Sequence, residues 1–132
     1  MGAERYLDKP VLILVSEKTF SLAEQLAYGM KHFDKATIIG RTSSGAAHAI
    51  DFLEVNDNYA SQIPVTYSIH PVTGTDWEGT GVVPHIVAPV DQALRTAHLN
   101  ALETLIDGAT IDRIKDRYHS IKDKLVASDK AR

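Results

Sequence analysis

Five consecutive apolar residues, Val11-Leu12-Ile13-Leu14-Val15, precede a segment that spaces Leu22, Ala23, Leu26, Ala27, Met30 and Phe33 as a helix does. Asp34-Lys35 closes that segment, and a second apolar run follows, Ala36-Thr37-Ile38-Ile39-Gly40. Uninterrupted apolar runs of this length read as strands buried on both faces. Strand, helix and strand joined by short connections form a right-handed βαβ unit with parallel strands. This unit places the chain in the α/β class. A parallel sheet is normally flanked by several strands and covered on both faces, and few further strands are available here. We therefore expect the missing strands to come from an upstream segment or from another copy of the chain.

The remainder is simpler to read. Ala49–Val55 and Gln62–Ile69 are predicted strands around the turn Asn56-Asp57-Asn58, and the second places Ile63, Val65, Tyr67 and Ile69 on one face. Pro71–Pro84 is a loop, and Ile86-Val87-Ala88 a short strand. Asp91 is positioned to cap a helix over about residues 92–106 with Leu94, Ala97, Ala101, Leu102 and Leu105 as its apolar positions, ended by Gly108. A last helix over about residues 111–126 carries Ile111, Ile114, Tyr118, Ile121 and Leu125 as one narrow seam between charged faces. Ser128–Arg132 is expected to fray. We read residues 1–132 as a single domain, with 109–132 its terminal helix and tail.

Composition removes several classes. The 132 residues are 44% hydrophobic, enough for one core, and the net charge of −3 is made of interspersed signs that leave no footprint for nucleic acid. No apolar run approaches membrane-span length, so membrane insertion is not expected. Cysteine is absent, which excludes disulfides and cysteine–zinc sites. The six histidines (His32, His48, His70, His85, His98, His119) include no helical pair at four-residue spacing, so neither a metal nor another cofactor is expected. Ser43-Ser44-Gly45 lacks the glycine spacing and lysine of a phosphate-cradling loop.

The residues that carry chemistry lie at the first strand-to-helix junction, Ser16-Glu17-Lys18-Thr19-Phe20-Ser21-Leu22-Ala23-Glu24. A serine where a buried strand turns into a helix aims its hydroxyl and the helix's free amides at one point, as acyl transfer requires. The backbone N–H of Leu22, at the positive end of the helix dipole, is a candidate oxyanion donor. Spacing alone favours a plainer role, because Ser21-x-x-Glu24 is also a capping box. Thr19 competes for the cap, and if it takes that place Ser21 is free for other work. No lysine or evident histidine supplies the base that a serine nucleophile needs.

Three blocks, Thr19-Phe20-Ser21-Leu22-Ala23-Glu24, Ala36–Ala46 and Trp77-Glu78-Gly79-Thr80-Gly81-Val82-Val83-Pro84-His85-Ile86, occur in an order and spacing that resembles the tail-specific (C-terminal processing) serine peptidases. The branch most like it is that of interphotoreceptor retinoid-binding protein and the tricorn core, and the similarity covers about residues 8–105. The resemblance implies a ClpP/crotonase-like fold, here incomplete, with the active site at one end of the first helix. It implies proteolysis of polypeptides, with Ser21 as nucleophile and Glu78 as the family's glutamate. Where the Ser–Lys branch has its lysine this chain has Ala46, so it is no Ser–Lys dyad enzyme. The histidine of the other branch, and the glycine-rich segment that lends the second oxyanion amide, would lie upstream. Residues 1–132 alone are thus expected to have little peptidase activity. Relatives are often exported, which favours an extracytoplasmic bacterial setting.

Other roles stand beside these. Glu78 is otherwise a solvated loop carboxylate. Trp77 is a packing residue or a groove wall, and Gly79 and Gly81 permit a tight turn. His48, just past the small-residue loop, is a possible substitute base if that loop brings it to Ser21. The retinoid-binding relatives suggest a non-catalytic module for an apolar small molecule such as a retinoid or fatty acid. A structural remnant that forms homo-oligomers through exposed strands is the third reading.

Overall fold

In a computed structural model the structure describes residues 9–127. The order is β1 (Leu12–Val15), α1 (Leu22–His32), β2 (Thr37–Gly40), β3 (Ala49–Asn56), β4 (Tyr59–Thr66), β5 (Ile86–Val87), α2 (Ala93–Gly108) and α3 (Asp112–Ala127). β1 and β2 pair in parallel, Leu12 opposite Thr37 through Val15 opposite Gly40. β5 joins the other side of β2 in parallel, giving the order β1-β2-β5. The βαβ reading thus holds, within a mixed α/β architecture.

Successive residues of β2 point to opposite faces. Ile38 and Ile39 are each 0% exposed, so both faces of the sheet are covered at β2. The strand β1, expected to be buried on both faces, is buried only at Val15 and exposes Leu14. Ile38 packs with Val15, Ala27, Tyr28, Trp77 and Val82, on the side of α1. Ile39 packs with Ala88, Ala93 and Ala97, on the side of α2. Full burial of one such side chain contributes about 1.5–3 kcal/mol. β1 and β2 approach so closely at their ends that a Cβ on Gly40 (φ 132°) would run into the Val15 carbonyl oxygen. That oxygen also accepts the Arg41 N–H, at 3.0 Å.

The faces of the helices differ from those expected. α1 buries Glu24, Ala27 and Tyr28, while Leu22 and Leu26 are 77% and 61% exposed and Phe33 is also exposed. Ala27 lets the helix sit close to the sheet, and the Tyr28 ring stacks against Trp77 with centroids 5.3 Å apart. These contacts, with the hydrogen bonds of Glu24 described below, set the rotation of α1 and leave its leucines outward. α2 buries Ala93, Ala97, Leu102 and Ile106, and Leu94 and Leu105 are exposed. Its N-cap is Gln92, without a side-chain bond, rather than Asp91. The turn closed by Gln92 N–H to Pro89 carbonyl, 2.9 Å, moves the helix start past Asp91.

β3 and β4 form an antiparallel ribbon, separate from the main sheet. The Asn56 side chain accepts the Asn58 N–H at 3.0 Å, a tight Asx-type turn that places Tyr59 opposite Asn56. β4 therefore begins and ends three residues earlier than expected. Every residue of the ribbon is exposed, so the alternating face of Ile63, Val65 and Tyr67 meets solvent. α3 lies against α2, joined to it by Lys122 Nζ to Glu103 Oε1, 2.9 Å, but it buries no residue, and Ile111, Ile114 and Ile121 of the expected seam are exposed. The expected fraying of Ser128–Arg132 lies outside the described residues.

Candidate active site

Ser21 stands between β1 and α1 with φ 54° and ψ −123°. A positive φ is uncommon for a side-chain-bearing residue and persists only where its surroundings enforce it. Ser21 and Glu24 form a capping box in which the Ser21 side chain faces the Glu24 N–H without a full cap hydrogen bond. The Glu24 N–H bonds to the Ser21 carbonyl, at 2.8 Å. Ser21 is exposed. The Leu22 N–H, the candidate oxyanion donor, has no acceptor among the described residues. Thr19 does not cap the helix: its hydroxyl accepts the Ser16 N–H at 3.0 Å and closes the preceding turn.

What holds this turn is Glu24, 0% exposed. Its Oε2 accepts the N–H of Ser21 and the N–H of Ala46, both at 2.9 Å. Its Oε1 accepts the Ser43 hydroxyl at 2.5 Å and the Gly45 N–H at 2.6 Å. Burial alone would raise its pKa, but the bonds from Ser43, Ala46, Gly45 and Ser21 outweigh it and hold the carboxyl below its ordinary range. The Ser43 hydroxyl in turn accepts the Val82 N–H at 2.7 Å. The loop after β2 is thereby fastened to the start of α1. Ala46, where the resemblance would put a lysine, shares one carboxylate oxygen with Ser21, and its methyl group offers no base.

Glu78 lies beyond that loop. Its Oε2 accepts the N–H of Ala47 at 2.6 Å and of His48 at 3.1 Å. His48 places Nε2 3.3 Å from Asp76 Oδ2 and Nδ1 3.9 Å from Glu78 Oε2. His48 and Glu78 are thus brought together, but both polar contacts of the His48 ring are to carboxylates and none is to Ser21. Trp77 is buried in the core and donates from Nε1 to the Ala46 carbonyl at 3.1 Å, the packing role expected. Gly79 and Gly81 have φ 65° and 70°. A Cβ on Gly81 would strike the Ser43 carbonyl oxygen, so glycine permits the two loops to meet.

No cluster that could hold a metal ion occurs among the described residues, and no helix among them is long and apolar enough to cross a membrane. The arrangement offers a hydroxyl, a free amide beside it and a carboxylate-bearing loop close by. Glu24, Ser43 and Asp76 were not singled out as site residues from the sequence. The capping-box spacing marked Glu24, but only for its local half.

The chain thus combines a mixed α/β architecture with a serine at positive φ on a strand-to-helix turn. Residues 2–88 match Peptidase family S41, and the chain belongs to that family. It is 28% identical over 115 residues to a carboxy-terminal-processing protease of Bartonella bacilliformis, covering 87% of this chain and 26% of that protein. Among solved structures it is similar to mature CPAF, with TM-score 0.54 and 25% identity over 78% of this chain and 22% of the other. It shares the fold of the photosystem II D1 C-terminal processing protease, with TM-score 0.55 and 24% identity over 64% of this chain and 22% of the other. The chain spans about a quarter of the length of the curated relative it matches.

Proposed function

We propose that this chain serves in serine-type hydrolysis of peptide bonds, with Ser21 as the nucleophile. The supporting observation is the exposed position of Ser21 on a positive-φ turn, its hydroxyl making no full cap hydrogen bond. In this reading Ser21 Oγ attacks the carbonyl carbon of a polypeptide and gives its proton to a general base. The carbonyl oxygen takes up negative charge beside the Leu22 N–H and the positive end of α1. Collapse expels the amine, which takes the proton, and water then hydrolyses the acyl-serine. Glu78 is an orienting or polarising carboxylate. The general base and second oxyanion donor would come from residues outside this chain. His48 would serve as base only after turning from Asp76 and Glu78.

We read the architecture as ClpP/crotonase-like, residues 1–132 being the C-terminal part of a catalytic domain. The likeness to a carboxy-terminal-processing protease favours polypeptide substrates cleaved near their C-termini. The test is fluorophosphonate labelling with peptide mapping. Residues 1–132 should label slowly, at Ser21 alone, and Ser21→Ala should not label. Labelling that survives Ser21→Ala removes the nucleophile assignment, and rapid stoichiometric labelling removes the external base. The exposed Leu22 and Leu26 on the helix that follows Ser21 favour the second reading, a surface for an apolar small molecule. Lipid extraction and mass spectrometry of the purified protein would then find a stoichiometric ligand.

A further inference from the structure

We propose that Glu24 is a positioning residue, whose ionised carboxylate sets the main chain of Ser21 and the 43–46 loop as one unit. The inference rests on the reading of Ser21 as nucleophile. A capping-box glutamate ordinarily has one task, to accept the N-cap amide, and performs it at the solvent-exposed end of a helix. Glu24 is instead fully buried and accepts four donors. Those on Oε2 are the amides of Ser21 and Ala46, one from each side of the site. Those on Oε1 are the Ser43 hydroxyl and the Gly45 amide, and Ser43 passes the connection to Val82.

Two properties follow from this geometry. The bond from the Ser21 N–H opposes rotation of that residue back to negative φ, because rotation would leave the amide and one carboxylate lone pair without partners. Three of the four donors are amides, which cannot reverse their polarity. Glutamine in its place would set a hydrogen against at least one of them, and protonated Glu24 keeps all three only if the Ser43 hydroxyl turns round to accept. The charged form is the one that accepts all four donors as they stand. All four partners are neutral donors, and the charged groups of the adjoining loop, His48, Asp76 and Glu78, are engaged with one another. Because the same oxygen holds Ser21 and Ala46, whatever moves the 43–46 loop also moves the nucleophile.

The test uses NMR on residues 1–132. In the wild type, the amide resonances of Ser21, Gly45 and Ala46 should titrate together with the Glu24 carboxyl carbon, at one midpoint below the ordinary carboxylate range. In Glu24→Gln the three-bond HN–Hα coupling of Ser21 should leave its positive-φ value, and fluorophosphonate labelling of Ser21 should fall about tenfold or more. A Ser21 amide that ignores the Glu24 titration overturns the proposal without any variant having to fold. So does a folded Glu24→Gln protein with unchanged Ser21 coupling and labelling. Labelling unaffected by Ser21→Ala would instead overturn the nucleophile assignment, while the coupling and titration still report on positioning.

Discussion

Ser21 holds a conformation that glycine adopts freely, and the two substitutions at this position separate strain from chemistry. Ser21→Ala should abolish probe labelling with little change in stability. Ser21→Gly should be about 1 kcal/mol more stable than Ser21→Ala in urea denaturation, because it relieves the positive φ. Equal stabilities would mean that the turn stores no strain. Glu24→Ala should cost about 3 kcal/mol or more, since it strands buried donors. The pH dependence has a definite sign. The folded carboxyl lies below its unfolded value, so its contribution is complete above the ordinary carboxylate range and is lost as pH falls through the folded value. Urea midpoints measured against pH should decline on acidification in wild type, and Glu24→Gln should flatten that decline.

At the scale of elements, the rotation of α1 makes an unusual pair of predictions. Leu26→Glu should change stability by less than about 0.5 kcal/mol, because Leu26 is 61% exposed. Ala27→Leu should cost about 2 kcal/mol, because Ala27 is fully buried against the sheet. The reverse ranking in thermal denaturation would place α1 on its leucine face. Helical spacing tells which residues share a side but not which side is seated. Here the seat is decided by Tyr28 on Trp77 and by donors to Glu24 from residues far along the chain. The ribbon of β3 and β4 makes the same point. Its existence was readable from two strand-like runs around a turn, though β4 lies three residues earlier than read, whereas its exposure depends on what packs there, and nothing among the described residues does.

For the whole molecule, exposed apolar side chains recur on α1, on the β3–β4 ribbon and along α3. Among the described residues β1 also forms an open edge of the main sheet. Surfaces of this kind mark contacts with other protein. We expect residues 1–132 to self-associate reversibly with rising concentration in sedimentation velocity, and Leu22→Glu with Leu26→Glu to weaken that association. A strictly monomeric species across the range would show that these surfaces tolerate water.

Local chemistry in the sequence alone determined the parallel βαβ unit, the ribbon and the three helices, and the resemblance of three ordered blocks pointed to the family. Apolar runs, turn residues and motif order act over a few residues and survive without knowledge of the fold. The junction at Ser21 was readable in this way, and so was the absence of a base at Ala46. Only the tertiary structure decided that Glu24 joins two loops and that His48 faces Asp76 and Glu78. Both depend on contacts between segments about twenty or thirty residues apart, and such partners are chosen by packing, which no local pattern encodes.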